Sequence, residues 1–238
     1  MRSASPRLRR GPVLDVGCGD GLFFDRLAEF GDVEGVEPDV SLVDPRGPHA
    51  NRIHLVPFDA AFQPGNRYSL ILMLDVLEHL ADPVGALRQA IDLLADEGLL
   101  VVTVPAFPML WTAHDDWNHH YVRYTKRSFA EVARRSGLAI ARSRYFFHWT
   151  FPVKLAVRLK EAIVRRPPQP AEVPSPLVNR GLYALSQIEQ WTLGKLPIPF
   201  GSSLLAVGCK ATVGPSADCA RETRSSTANG AELSHAEQ

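Results

Sequence analysis

The sequence predicts an α/β fold: a Rossmann-like, doubly wound, mostly parallel seven-stranded sheet with a helical insertion before the last strand. Three observations predict it. Short apolar runs alternate with stretches of helical period, as in a parallel sheet covered by helices on both faces. The first apolar run leads directly into a glycine-rich turn at Gly17, Gly19 and Gly21. The run LLVVTV at 99–104 is apolar on both faces and therefore belongs inside the sheet.

Taken in order, Val13 to Val16, Val33 to Val36, Ile53 to Val56, Leu70 to Leu74 and Leu99 to Val104 read as strands. The glycine turn opens a helix containing Leu22, Phe23 and Leu27. Between the fourth and fifth strands, Asp82 can cap a helix with Pro83 at its first position. Val84, Leu87, Ile91 and Leu94 then make one apolar stripe, and Gly98 is the expected stop. A further helix starts near Thr125, turns Phe129, Val132 and Ala133 inward and ends at Gly137. Leu138 to Phe147 is a sixth strand and Ser202 to Lys210 a seventh. Between them, about 149–200, lies an insertion of two helical patterns separated by RRPPQPAEVPSP, an expected extended linker. Residues 1–11 read as a short leading segment, 12–212 as the main domain and 213–238, nearly free of large apolar side chains, as a disordered tail.

The composition, 45% hydrophobic and 22% charged, is that of a globular chain rather than a disordered one. Zero formal net charge provides no general field for nucleic acid, so no nucleic-acid partner is expected. Cys18, Cys209 and Cys219 are scattered, without metal or redox spacing, which fits a reducing compartment. The leading MRSASPRLRR lacks the apolar stretch of a signal peptide. A cytoplasmic location follows as the expectation, with peripheral membrane contact through the insertion as a further option.

A glycine turn at the carboxyl edge of a sheet lets a nucleoside-type ligand approach the backbone. A dinucleotide fingerprint would place glycine or alanine where this chain has Leu22. Glu37, at the end of the second strand, can accept hydrogen bonds from ribose hydroxyls. In order and spacing, VLDVGCGDG, VEGVEPD, FDAAF, YSLILMLDVLEHL and GLLVVTVP resemble successive motifs of class I S-adenosylmethionine-dependent methyltransferases over residues 12 to 147. Within that superfamily the chain looks like the group that includes the ubiquinone and menaquinone biosynthetic enzymes.

The resemblance implies S-adenosyl-L-methionine as cofactor. Asp15, Gly17, Gly19 and Gly21 would form the methionine-side loop, Glu37 would hold the ribose, and Asp59 followed by Ala60 would meet the adenine amino group. Leu74 and Asp75 would line the sulfonium end. For Asp15 and Asp59 the alternatives are backbone capping and a turn. In DVLEHL, His79 is a candidate general base; alternatively Glu78 and His79 steady the following helix. The segment WTAHDDWNHHYVRYTKRSF resembles a pattern in a subset of these enzymes at Leu110, Trp111, His114, Asp115, His120, Arg123 and Tyr124, with His119 and Val122 replacing residues more often glycine and arginine. No metal is expected, because the histidines and acids there lack a tight ligand pair.

His120, Arg123 and Tyr124 are candidate acceptor-site residues. The alternative pairs Arg123 with Asp115 or Asp116 and packs Tyr124 against Phe129. Many relatives cover the active site with helices before the first strand; here either the start is truncated or another segment forms the lid, for which the insertion is the expected substitute. The implied reaction is direct methyl displacement onto a small-molecule or lipid-like acceptor. The rivals are an inactive cofactor-binding scaffold and a nicotinamide-dependent oxidoreductase.

Overall fold

In the computed structural model of the protein, residues 10–163, 175–193 and 196–211 are described. The elements are β1 (Val13–Val16), α1 (Phe24–Leu27), β2 (Val33–Val36), β3 (Ile53–His54), β4 (Tyr68–Leu74), α2 (Pro83–Leu93) and β5 (Leu94–Pro105). There follow α3 (Ala113–Trp117), α4 (Lys126–Ser136), β6 (Leu138–Phe146), α5 (Thr150–Ile163), α6 (Pro176–Thr192) and β7 (Ser203–Lys210). The sheet order is β3-β2-β1-β4-β5-β7-β6. The pairs from β3 through β5 are parallel, and β7 runs antiparallel to both neighbours.

Strand alternation divides the apolar side chains between two cores. Leu14, Val16, Ile71 and Met73 face one core, where Leu87, Ala90, Phe129 and Ala133 of α2 and α4 cover them. Val13, Leu70 and Leu72 face the other, under Phe24 and Leu27 of α1. The termini of the covering helices follow local chemistry. Asp82 accepts from the Gly85 N–H with Pro83 behind it, Thr125 caps α4 through a reciprocal pair with Ser128, and Gly137 ends α4 at φ 84°.

Several boundaries differ from the sequence expectation, among them β4 starting at Tyr68, β6 ending at Phe146 and β7 starting at Ser203. The second-core helix is only Phe24–Leu27, and Leu22 and Phe23 precede it with Leu22 83% exposed. The third strand stops at His54 rather than Val56. Leu94, counted in the helical stripe, is instead the first residue of β5, extended at φ −64°, ψ 144° and paired with Tyr68. Gly98 therefore lies inside a strand, not at a helix end. Its lack of a side chain serves an irregularity between Tyr68 and Leu70, since a Cβ there would come within 2.8 Å of the Tyr68 carbonyl oxygen. The proline-rich linker after Ile163 and the tail beyond Ala211 lie outside the described residues.

Candidate functional site

The carboxyl ends of β1, β2, β4 and β5 meet along one edge, and there the chain places its polar side chains. At the end of β1, Gly17, Gly19 and Gly21 all have positive φ, 72°, 52° and 79°. A Cβ on Gly17 would approach Val76 Cγ2 to 2.7 Å, so this turn lies against the loop that follows β4. A Cβ on Gly19 would meet nothing within 4 Å. Glu37, buried at the end of β2, accepts the Gly19 N–H at 3.0 Å through Oε2 and the Asp39 N–H at 2.9 Å through Oε1. Each oxygen keeps a lone pair to spare.

Asp15 is buried in β1 with no hydrogen-bond partner at Oδ2, and burial raises its pKa to about 7. The neighbouring Cys18 thiol is pushed up to about 12, first by burial and then by the charges of Asp15 and Glu37. Asp59 is exposed and closes a turn by accepting the Ala61 N–H at 2.8 Å, with Ala60 exposed between them. Leu74 is half-buried, and Asp75 follows it in the left-handed region at φ 54°, its N–H directed at the Thr103 carbonyl and hydroxyl.

A second group gathers where β4 and β5 end. Glu78, His79 and His120 bring ligand-type atoms within 4.8 Å of one another, and the two imidazoles meet edge-on with centroids 4.6 Å apart. Glu78 is buried with Oε2 unpartnered, and its pKa rises to about 8 through burial and the nearby Asp75 charge. Burial, then the His120 charge, lowers the pKa of His79.

Behind this group lies Asp115, fully buried. Its Oδ1 accepts from His120 Nδ1 at 2.9 Å and Arg123 Nε at 2.8 Å, and its Oδ2 accepts from the Thr112 N–H at 2.9 Å. Burial opposes ionisation of Asp115, but these donors outweigh it and hold the carboxyl well below the usual carboxylate range. Arg123 also donates to the Ala106 carbonyl and is buried, so its guanidinium faces the protein. Tyr124 is buried edge-on to Phe129 and bridges to Ala106 in parallel pairing. Thus His120 and His79 reach the edge, whereas Arg123 and Tyr124 stand behind it.

Asp115 entered the sequence reading as a motif position and as the alternative partner of Arg123, and the structure shows that pairing. Lys154 of α5 was not a candidate site residue. Burial, then the Arg123 charge, lowers its pKa, while Asp115 and Asp75 pull the other way. Glu161 on the same helix accepts the Ala113 N–H at the start of α3.

A family described as methyltransferase domain matches residues 2–143, more than half of the 238. The ubiquinone biosynthesis O-methyltransferase of Bradyrhizobium diazoefficiens is 29% identical over 143 residues, covering 58% of this chain and 47% of that protein. The chain spans about half the length of the curated relatives it matches. Among solved structures, a SAM-dependent methyltransferase from Archaeoglobus fulgidus aligns with TM-score 0.53 at 13% identity, over 85% of this chain and 88% of the other. The [4+2]-cyclase SpnF aligns at 0.52 with 19% identity, over 84% and 75%. The fold and the glycine-turn edge are those of the class I S-adenosylmethionine-dependent methyltransferases, the class whose cofactor is S-adenosyl-L-methionine. The chain belongs to the methyltransferase-domain family.

Proposed function

We propose that this protein transfers the methyl group of S-adenosyl-L-methionine directly to a hydroxyl oxygen of a small, lipid-like acceptor. The observation that carries the reading is the buried Asp115 carboxylate bonded to His120 Nδ1, with His120 beside Glu78 and His79 in the loop that follows β4. The name of the Bradyrhizobium relative, an O-methyltransferase of ubiquinone biosynthesis, favours oxygen and a lipid-like acceptor.

The residues fit the cofactor. The unpartnered Asp15 Oδ2 suits an ammonium group, the open space at Gly19 suits close backbone approach, and Glu37 keeps lone pairs for ribose hydroxyls. Asp59 with Ala60 would meet the adenine, and Leu74 with Asp75 would line the reacting end. Bound there, the cofactor supplies an electrophilic methyl group. With its Nδ1–H held by Asp115, His120 keeps Nε2 free to accept the acceptor proton. His79 packs against that ring and restricts its orientation. Arg123 and Tyr124 act as positioning residues: Arg123 fixes Asp115, and Tyr124 ties the loop to β5 at Ala106. Acceleration comes mainly from alignment and water exclusion.

The test is a labelled-methyl assay against a small-molecule and lipid extract, with cofactor affinity measured separately. Glu37→Ala weakens S-adenosylmethionine binding by about 1–3 kcal/mol. His120→Ala lowers turnover by about tenfold or more with nearly constant cofactor affinity. Arg123→Ala instead unfolds more easily, by about 3–5 kcal/mol, because it strands the buried Asp115 charge. Tight NAD binding without S-adenosylmethionine binding, or full turnover by His120→Ala, would overturn the reading.

A further inference from the structure

The two insertion helices are oriented the reverse of ordinary surface helices. A helix packed on a domain usually turns its apolar stripe toward the core and its polar face to water. On α6, Leu177, Val178, Leu185, Ile188 and Trp191 recur at helical spacing along one arc, and all are exposed, Leu177 and Trp191 at 80%. The opposite arc, against the domain, carries Ser186, Glu189 and Gln190 alongside Leu182. Glu189 is buried beneath the Trp149 N–H, and Gln190 accepts from Arg144 of β6 at 2.9 Å.

Helix α5 repeats the inversion. Val153, Ala156, Val157, Leu159 and Ile163 face outward, Ile163 at 84% exposure. Lys154 and Glu161 share the inward arc with Phe151 and Leu155. Scattered apolar residues on a surface need no explanation, but two outward apolar stripes on consecutive helices do.

We propose that the outward faces of α5 and α6 dock on an anionic lipid bilayer. Charge selects this occupant. Residues 149–200 contain seven lysines and arginines against three acids, a surplus of four in a chain whose net charge is zero. Two of those acids, Glu161 and Glu189, are turned inward onto backbone N–H groups, so Lys160 on α5 and Arg180 on α6, both exposed, stand with the apolar stripes without compensation from them. Apolar side chains entering the acyl boundary beside basic ones at the headgroups describe an interfacial helix. A second copy would set this positive segment against itself, because a two-fold interface pairs the same patch on both partners. Among the described residues no helix is long and apolar enough to cross a membrane, so the contact is superficial. Docking there sets the Lys154 side of α5, which reaches the catalytic edge, between the bilayer and the acceptor position. The docking itself does not depend on the proposed methyl transfer.

The experiment is flotation of the full chain with vesicles of phosphatidylcholine alone or mixed with phosphatidylglycerol, at low and high salt. Binding to the mixed vesicles, reversed by salt, is expected. The double variant Lys160→Glu/Arg180→Glu reduces it by about tenfold or more. Ile188→Asp/Trp191→Asp also reduces it, while circular dichroism and S-adenosylmethionine affinity remain unchanged. If the apolar variant misfolds, quenching of wild-type tryptophan fluorescence by brominated lipid decides the same question. Absence of binding at low salt, equal binding to neutral vesicles, or a vesicle-free dimer abolished by the same substitutions would each overturn the proposal.

Discussion

His119 occupies the left-handed backbone region at φ 55°, where a β-carbon crowds the following carbonyl. It sits in the turn that delivers His120 to the edge, at the position where glycine is more usual in the motif it resembles. Its side chain is exposed. His119→Gly should therefore relieve more backbone strain than it adds in unfolded-chain entropy, raising stability by about 0.5–1 kcal/mol in urea denaturation. A loss of stability would mean that the imidazole makes a contact worth more than the strain. At this scale the sequence spoke clearly where a residue's partners are close in the chain. Gly17, Gly19 and Gly21 are read from one motif, and each has the positive φ that glycine permits. Arg123 was less legible, because facing a ligand and pairing with Asp115 require the same residue type. Only the fold decides which way the guanidinium turns.

Helix α2 follows the loop carrying Asp75, Glu78 and His79, and its first turn is fixed by Asp82 accepting the Gly85 N–H at 2.9 Å. Asp82→Ala leaves that donor to water and should cost about 1 kcal/mol by thermal or urea unfolding. A variant as stable as wild type would show that packing of Val84 and Leu87 alone sets the start of the helix. Asp82 and Pro83 made this start readable from sequence, whereas its end was not. Gly98 looks like a helix stop by residue type but serves close strand approach beside Tyr68. The insertion helices teach a related lesson. Helical period on α5 separates the Lys154 face from the Val157 face, yet period carries no sign, and here Lys154 and Glu161 turn in while Val157 turns out.

Across the whole molecule, two buried carboxyls respond to pH in the direction opposite to a third, Asp115, at the same edge. Asp15 and Glu78 have folded pKa values raised to about 7 and 8 from 3.8 and 4.5. Their contribution is complete below about pH 4 and is lost as pH rises through the folded values. Asp115, held low by its donors, contributes above its ordinary value of 3.8 and loses that contribution in acid. The free protein should accordingly lose stability between about pH 5 and pH 8, on the order of a few kcal/mol. Urea denaturation at both pH values checks this, and Asp15→Asn/Glu78→Gln should flatten the difference. An equally steep dependence in that double variant would place its origin elsewhere. The sheet as a whole was the most legible feature, because alternating apolar runs such as Leu70 to Met73 must supply two cores at once.

The position of β7 governs when the molecule can become whole. Among the described residues, strand β6 has no sheet neighbour but β7, and β7 alone joins it to β5. A growing polypeptide therefore makes β6 and both insertion helices before the strand that fastens them exists. Until Ser203–Lys210 emerges, the β5 flank stands open and β6 has nowhere to attach. The last strand thus acts as a clasp. Completion of the sheet is a late, long-range event in biosynthesis, and a ribosome stalled within α6 would hold a half-built edge exposed to other chains.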